Sequence, residues 1–400
     1  MIIRHGYLEK IKSYKDMQLI KVVTGIRRCG KSTLLKLYKD NLLRDGVDEK
    51  QIIFINLEEK ENEALKNVDA LYDYITGNLV KDEMNYIFID EVQECKNFQT
   101  AVDSLFIKDN VDIYITGSNA HMLSGELATL LSGRYVTIEM LPLSFVEYLQ
   151  GAGEDSIESK YRDYLRFGSF PFVLQFKGNE EQIRNYLDGL YNTIFKKDIV
   201  RRNGIKNEDA LESVTRFVFD NIGNLVTSKK ISDTLTSNNC KVSQPTVEGY
   251  LKALADSFFV YRVTRYDVKG KQYLKSMAKY YVTDLGMRNN LLGYKSSNRG
   301  AVLENTVFLE LIRRGYKVFI GKVENGEIDF VVFKGSETVY IQVAESIKDE
   351  AVFEREMKPL RTVKDFNKRV VITTDYDVNE SYDGIRHINI IDFLLGKKNI

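Results

Sequence analysis

The chain has 400 residues, enough for two or three domains; 44 % are apolar and 28 % charged, with only four Pro, which excludes collagen-like, linker-rich and disordered classes. Fifty-seven Lys and Arg balance fifty-seven Asp and Glu, so a uniformly basic nucleic-acid coat and an acidic buffer protein are excluded as well. Three widely spaced cysteines (Cys29, Cys95, Cys240) and three scattered histidines (His5, His121, His387) speak against a disulfide scaffold, a zinc site or a histidine triad, and a reducing cytoplasm is expected.

The first sixteen residues are broken by charge and lack the apolar core of a signal peptide, and no window approaches ~18 uncharged apolar residues, so no membrane span is expected. Residues 17–150 then alternate short β-branched runs with longer amphipathic stretches. The runs are 19–26, 51–57, 86–90, 112–118 and 135–141, each bounded by turn or charge signals. That alternation predicts a doubly wound α/β domain with a parallel sheet.

The first run leads directly into GIRRCGKST (25–33) and then into an amphipathic helix, which is the GxxxxGK[ST] phosphate loop in its proper strand–loop–helix context. Gly25 and Gly30 let the backbone curl so that the N–H groups of Ile26, Arg27, Arg28, Cys29 and their neighbours through Thr33 can face phosphates. Lys31 is placed to reach the β- and γ-phosphates of ATP, and the Ser32 hydroxyl to ligate Mg²⁺. YIFIDEVQ (86–93) supplies a strand ending in two carboxylates: Asp90 to hold Mg²⁺ and Glu91 to orient and deprotonate the attacking water. DIYITGSN (112–119) ends in Ser118 and Asn119, candidates to sense the γ-phosphate or the lytic water. Arg134, in GRYV, is a candidate for transition-state charge, in cis or toward a neighbouring subunit. Arg27 and Arg28 are read either as phosphate contacts or as fixing the loop to nearby acidic residues. His5 and Tyr7 either border adenine or pack.

Residues 151–207 read as a helical connector with a loop at FGSFPF (167–172). From 208 to 292 the order is helix, helix, a third helix capped by Ser243 with Val247, Tyr250, Leu251, Leu254 and Phe258 on one face, then a strand at 258–266, a turn and a return at 279–284. That order reads as a winged helix. Residues 192–300 hold 19 Lys and Arg against 10 Asp and Glu, a net of +9 inside a neutral chain, with KKDIVRR and DVKGKQYLK the most basic stretches. A basic module of this kind suits phosphate-backbone contact with DNA. Glu248 and Asp256 on the third helix suit a protein or interdomain contact better. From 293 to 400 a further α/β unit carries strands near 327–332, 339–344 and 369–374 and helices near 302–313 and 349–365.

GIRRCGKST, IDEVQ, TGSNAHMLSGELATLLSGRYVTIEMLPLSFVEYL and VTDLGMRN together resemble the prokaryotic AAA+-type ATPases with a C-terminal domain of unknown function, over nearly the whole chain. The resemblance implies a P-loop ATPase core over 1–150, a winged-helix middle and a C-terminal fold of the PD-(D/E)XK nuclease type. It places Lys31, Ser32, Asp90 and Glu91 at the ATPase positions, with ATP and Mg²⁺ as ligands, and allows an oligomer. A metal-dependent nuclease centre needs a helical carboxylate, an Asp and a Glu-x-Lys; Glu304 and Asp329 fit, but the last element falls on Gln342-Val343-Ala344, with Glu345 and Lys348 nearby. A degenerate fold kept for contacts is therefore expected. The leading expectation is an ATPase that moves its winged-helix and C-terminal parts, on DNA or a protein partner. The alternatives are a slow-turnover ATP-holding switch that docks a protein and an ATP-gated nuclease.

Overall fold

The computed structural model describes residues 2–120, 131, 133–294, 298–324 and 326–400. Residues 1–142 with 256–258 form one compact unit, and 143–255 with 259–400 form the other.

The first unit is a parallel sheet covered by helices. Its strands are β1 (Ile20–Thr24), β2 (Ile52–Asn56), β3 (Asn85–Asp90), β4 (Val111–Gly117) and β5 (Tyr135–Glu139), in the order β2-β3-β4-β1-β5. All four neighbouring pairs are parallel, so the five expected strands are present, each within two residues of its expected limits. Every residue of β1 and β3 and all but the first of β4 are buried, as in a parallel sheet covered on both faces, whereas the edge strands β2 and β5 are only partly so. Helix α1 (His5–Lys12) precedes β1, and α2 (Lys31–Arg44) follows it. Leu34, Leu35, Tyr38 and Leu42 of α2 are buried, the i, i+4, i+8 stripe of a sheet-packed helix. Helices α3 (Val68–Gly77) and α4 (Phe98–Phe106) complete the described helices of this unit, and α4 buries Phe98, Ala101, Val102 and Leu105. One lysine sits within the apolar run of β1: Lys21, fully buried, which pairs with Asp112 on β4 and donates to the Met17 carbonyl at 2.7 Å. Burial lowers the Lys21 pKa and raises that of Asp112, so each is tolerated only because the other is present.

The second unit begins with helices α5 (Phe145–Gly151), α6 (Ile157–Phe167) and α7 (Glu180–Thr193), the last continuing as a π-helical turn over Ile194–Arg201. Helices α8 (Glu208–Asp220), α9 (Ser228–Ser237) and α10 (Gln244–Asp256) precede a hairpin of β6 (Val260–Asp267) and β7 (Gln272–Val282). The return strand thus starts well before the expected 279, because β7 pairs along the whole of β6 across a bulge at Thr264/Arg265. Helix α11 (Leu285–Leu292), helix α12 (Arg299–Arg313), β8 (Lys317–Val323), β9 (Gly326–Lys334), β10 (Glu337–Val343), helix α13 (Glu350–Arg361), β11 (Lys368–Thr373), β12 (Ser381–Tyr382), β13 (Ile385–Asn389) and helix α14 (Ile390–Leu394) follow. These strands form one eight-stranded sheet, β12-β13-β11-β10-β9-β8-β6-β7, which the hairpin enters because β6 runs parallel to β8. No break in the sheet separates the hairpin from the strands after 293.

The VTDLGMRN segment is a clasp within this unit. Asp284 caps α11 by accepting from Met287 N at 2.8 Å, and it accepts from the backbone N–H and hydroxyl of Ser169, in the FGSF loop, at 2.6 and 3.1 Å. Asn289 donates to the carbonyls of Leu165 and Arg166, both at 2.9 Å, and the buried Arg288 donates to the Phe219 carbonyl at 2.7 Å. A Cβ on Gly286 would lie 2.0 Å from the Phe167 carbonyl oxygen, so only glycine fits there.

Candidate nucleotide site

Thr24 ends β1, and the loop that follows turns on Gly25, at φ +146°, and Gly30, at φ +113°, the residue before α2. A Cβ at Gly25 would lie 2.1 Å from the Met140 carbonyl oxygen, so the close approach of the segment after β5 requires glycine. Lys31 opens α2. Its ammonium, almost fully buried, donates to the Gly25 carbonyl at 3.1 Å and the Ile26 carbonyl at 3.4 Å, and lies 3.5 Å from the Glu91 carboxylate. Arg27 is buried and pairs with Glu58 at 2.9 Å, whereas Arg28 is exposed at φ +68°. Cys29 is buried in the loop, and burial pushes its thiol pKa up. Ser32 is half-buried and Thr33 exposed.

Asp90 ends β3, two strands from β1, and β4 lies between them. The intervening strand supplies Thr116, whose hydroxyl donates to Asp90 Oδ1 at 2.5 Å and accepts from the Glu91 N–H at 2.8 Å. Glu91 itself occupies the left-handed region, at φ 54° and ψ 50°, a costly conformation for a non-glycine residue that its surroundings must enforce. Gln93 donates to its second carboxylate oxygen. Ser118 and Asn119 follow β4 at the same edge and are buried; the Ser118 hydroxyl has no hydrogen-bond partner among the described residues.

The charges are set by burial against pairing. Burial would raise the Glu91 pKa, but Lys31, Gln93 and Arg27 outweigh it, and the carboxyl is held below its ordinary value. Burial would lower that of Lys31, but Glu91, Cys29 and Asp90 hold it above. Asp90 is pushed up by burial, despite the Ser32 and Thr116 hydroxyls. Its Oδ2 is buried with no hydrogen bond among the described residues. An orphaned carboxylate oxygen beside the Ser32 hydroxyl fits a divalent cation of the Mg²⁺ type.

Two further residues of this site carry no motif signal. Arg4, buried, donates to the Cys29 carbonyl at 3.1 Å and to the carbonyls of Leu141 and Pro142 at 3.0 and 3.3 Å, so it braces the loop from before α1. Tyr7 accepts from Leu141 N–H at 3.1 Å with Arg4 over its ring, while His5 is exposed. Glu58, the partner of Arg27, follows β2.

Arg134 is not brought here. Its carbonyl accepts from Ile20 N–H at the start of β1, the edge of the sheet opposite the loop, and its guanidinium pairs with Asp103. Parallel strands put the beginning of β5 and the end of β1 at opposite edges, which excludes Arg134 from this loop's phosphates within one chain. His121 and most of the AHMLSGELATLLSG segment lie outside the described residues.

The expected C-terminal metal ligands gather around a lysine. Lys279 of β7, buried, lies 2.9 Å from Glu304 on α12, 2.6 Å from Glu327 and 3.5 Å from Asp329 on β9. Glu304 also accepts from the Tyr281 hydroxyl at 2.5 Å. Gln342 is used elsewhere: its oxygen accepts from Asp329 N–H at 3.3 Å and its amide donates to Glu356 at 2.8 Å. Glu345 pairs with Arg299, and Lys348 is exposed. With an ammonium among the carboxylates and the Gln342 oxygen engaged, these residues do not fit a metal centre. Among the described residues, no group of three or more His, Cys, Asp or Glu is arranged to hold one.

The parallel sheet with its phosphate loop and acidic strand end defines a P-loop protein of the AAA type. A family model described as an AAA domain matches residues 17–149, and a domain of unknown function matches 158–298. The chain is 41 % identical over 400 residues to an uncharacterized protein of Haemophilus influenzae, covering 99 % of each. It is 34 % identical over 370 residues to an uncharacterized protein of Methanocaldococcus jannaschii, covering 86 % of this chain and 79 % of that one. The chain therefore belongs to the prokaryotic AAA-domain family that these relatives represent. A Walker-type ATPase of Pyrococcus abyssi shares the fold, with a TM-score of 0.53 at 14 % identity over 73 % of this chain and 96 % of that one.

Proposed function

We propose that the chain hydrolyses Mg²⁺-bound ATP to ADP and phosphate at the loop of residues 25–33. The observation that carries this is the convergence of Lys31 and Glu91 at 3.5 Å, from motifs on two strands separated by a third. The backbone N–H groups of the loop and the α2 N-terminus bind the phosphates, and Lys31 leaves its loop carbonyls to meet them. Ser32 and Asp90 would hold Mg²⁺, which would supply charge neutralisation for the phosphates. Once Lys31 turns to phosphate, Glu91 loses the cation that depresses its pKa and becomes a better base for the attacking water. Asn119, buried beside Ser118 at the end of the intervening strand, is the candidate to orient the same water. Steady-state phosphate release from the full chain with Mg²⁺ and ATP tests the proposal; tight ATP binding with no release under any condition would instead favour a nucleotide-held switch.

A second reading, DNA contact by the basic middle region, is favoured by a set of exposed lysines. Glu248, whose carboxylate accepts from Ser228 at 2.8 Å and from Gln244 at 3.0 Å, stays anionic and opposes that contact. Lys229, Lys230, Lys241, Lys269 and Lys271 are exposed, the last two on the turn of the hairpin, the charge that a DNA-binding winged helix would present. Salt-dependent binding to random duplex DNA, weakened by Lys229→Gln with Lys230→Gln, is expected; no binding at low salt removes this reading.

A further inference from the structure

We propose that Arg27 reads the γ-phosphate of the bound nucleotide and that Glu58 is the positioning residue that holds Arg27 in reserve until the triphosphate arrives. This rests on the nucleotide site proposed above. Arg27 sits inside the phosphate loop, between Gly25 and Gly30, and its side chain is 8 % exposed. Its guanidinium reaches Glu58, the residue after Leu57, whose N–H donates to the Asp90 carbonyl at 3.1 Å, which brings Arg27 toward the strand end that Glu91 follows. A cation beside Glu91 lies beside the phosphorus that Glu91's water attacks, the one that only the triphosphate has.

The site as it stands is compensated in two pairs, Lys31 with Glu91 and Arg27 with Glu58. The pairs differ in what each carboxylate can fall back on. Glu91 is 8 % exposed and has no water to return to, whereas Glu58 is 35 % exposed. Glu58 lies in a turn in which its N–H donates to Asn56 Oδ1 at 3.0 Å, at the sheet edge where Asn56 pairs in register with Asp90. A half-exposed carboxylate re-solvates at small cost, so this pair opens easily, while a guanidinium gains two-pronged, charge-assisted bonds from a phosphate. Glu58 therefore holds the Arg27 guanidinium without competing strongly with the ligand. Arg28, exposed beside it, has no equivalent partner position among the described ion pairs.

The test compares binding of Mg²⁺ with the β,γ-imido analogue of ATP, and of ADP, to the full chain by calorimetry. Arg27→Ala is expected to weaken the analogue roughly 10- to 100-fold while changing ADP by less than about threefold. Glu58→Gln is expected to tighten the analogue a few-fold and leave ADP unchanged. Equal weakening of both ligands by Arg27→Ala, or weaker analogue binding by Glu58→Gln, overturns the proposal and makes the pair a brace of the loop. Should Arg27→Ala not fold, Arg27→Lys decides: it keeps the charge and loses the fork, so selective weakening of the analogue supports the proposal and unchanged selectivity overturns it. A native chain that binds neither nucleotide overturns the ATPase reading itself, an outcome distinct from nucleotide binding that ignores Arg27.

Discussion

Thr116 stands between the two acidic residues of the nucleotide site, donating to Asp90 at 2.5 Å and accepting from the Glu91 N–H at 2.8 Å. One hydroxyl thus sets the rotamer of the metal-side carboxylate and the left-handed backbone of the base. Thr116→Val keeps the shape and removes both bonds. Stability is expected to fall by about 1–3 kcal/mol, with phosphate release reduced roughly tenfold or more, while Thr116→Ser restores most of both. Urea unfolding alongside phosphate release separates the two effects.

Glu91→Gln leaves the phosphate loop intact and removes the base. Turnover is expected to drop by roughly 10²–10⁴-fold with ATP binding retained. Lys31→Ala is expected to abolish binding instead, and fluorescent-nucleotide titration of both variants checks the distinction.

The clasp of the second unit predicts a purely structural phenotype. Gly286→Ala forces a Cβ toward the Phe167 carbonyl, 2.0 Å away, and is expected to destabilise the fold by on the order of 4 kcal/mol. Asp284→Ala, which leaves the Ser169 and Met287 N–H groups without their acceptor, is expected to cost about 1–3 kcal/mol. Thermal unfolding ranks the two.

The Lys279 cluster predicts a pH dependence. Burial, then Glu304, pushes Asp329 up to about 8, against the pull of Lys279 and the Val343 N–H. The folded state therefore holds a proton that the unfolded chain, with an ordinary Asp value of 3.8, releases. The stability contributed is fully present below about pH 4 and is lost as pH rises through about 8. Glu304, Glu327, Glu356 and Lys279 are the charged groups facing it, and His387, lowered by burial from 6.5, lies below the pH 7–9 range of the measurement. Denaturation midpoints measured from pH 7 to 9 are expected to decline in the native chain and to flatten in Asp329→Asn.

The strands of the first unit were readable because each is a buried β-branched run with clear ends, and the loop GIRRCGKST because its chemistry is local. Thr116 carries no signal of its own within the strand DIYITGS: its importance appears only when the strand order sets β4 between β1 and β3. Arg4 and Glu58 are invisible for the same reason, each reaching the loop from another part of the chain. Arg134 lies in an informative stretch of sequence, but its strand begins at the far edge of the sheet, so within one chain it does not reach this loop. In the sequence Lys279 reads as part of a returning strand; its role depends on Glu304 and Asp329, which only the shared sheet brings beside it. VTDLGMRN was recognisable as a pattern, yet its bonds to Ser169, Leu165 and Phe219 show an architectural purpose that no spacing within the motif expresses.

The parallel pairing of β6 with β8, Arg265 with Ile320 through Asp267 with Lys322, bears on how the chain can be divided. The family model for the middle region ends at residue 298, inside what is physically one sheet. A fragment cut there would leave β6 bare along one side and a fragment begun there would do the same to β8, each offering an unpaired backbone to the next molecule. Such halves are prone to self-association through added strands, and expression of either is safest with residues 260–389 kept together.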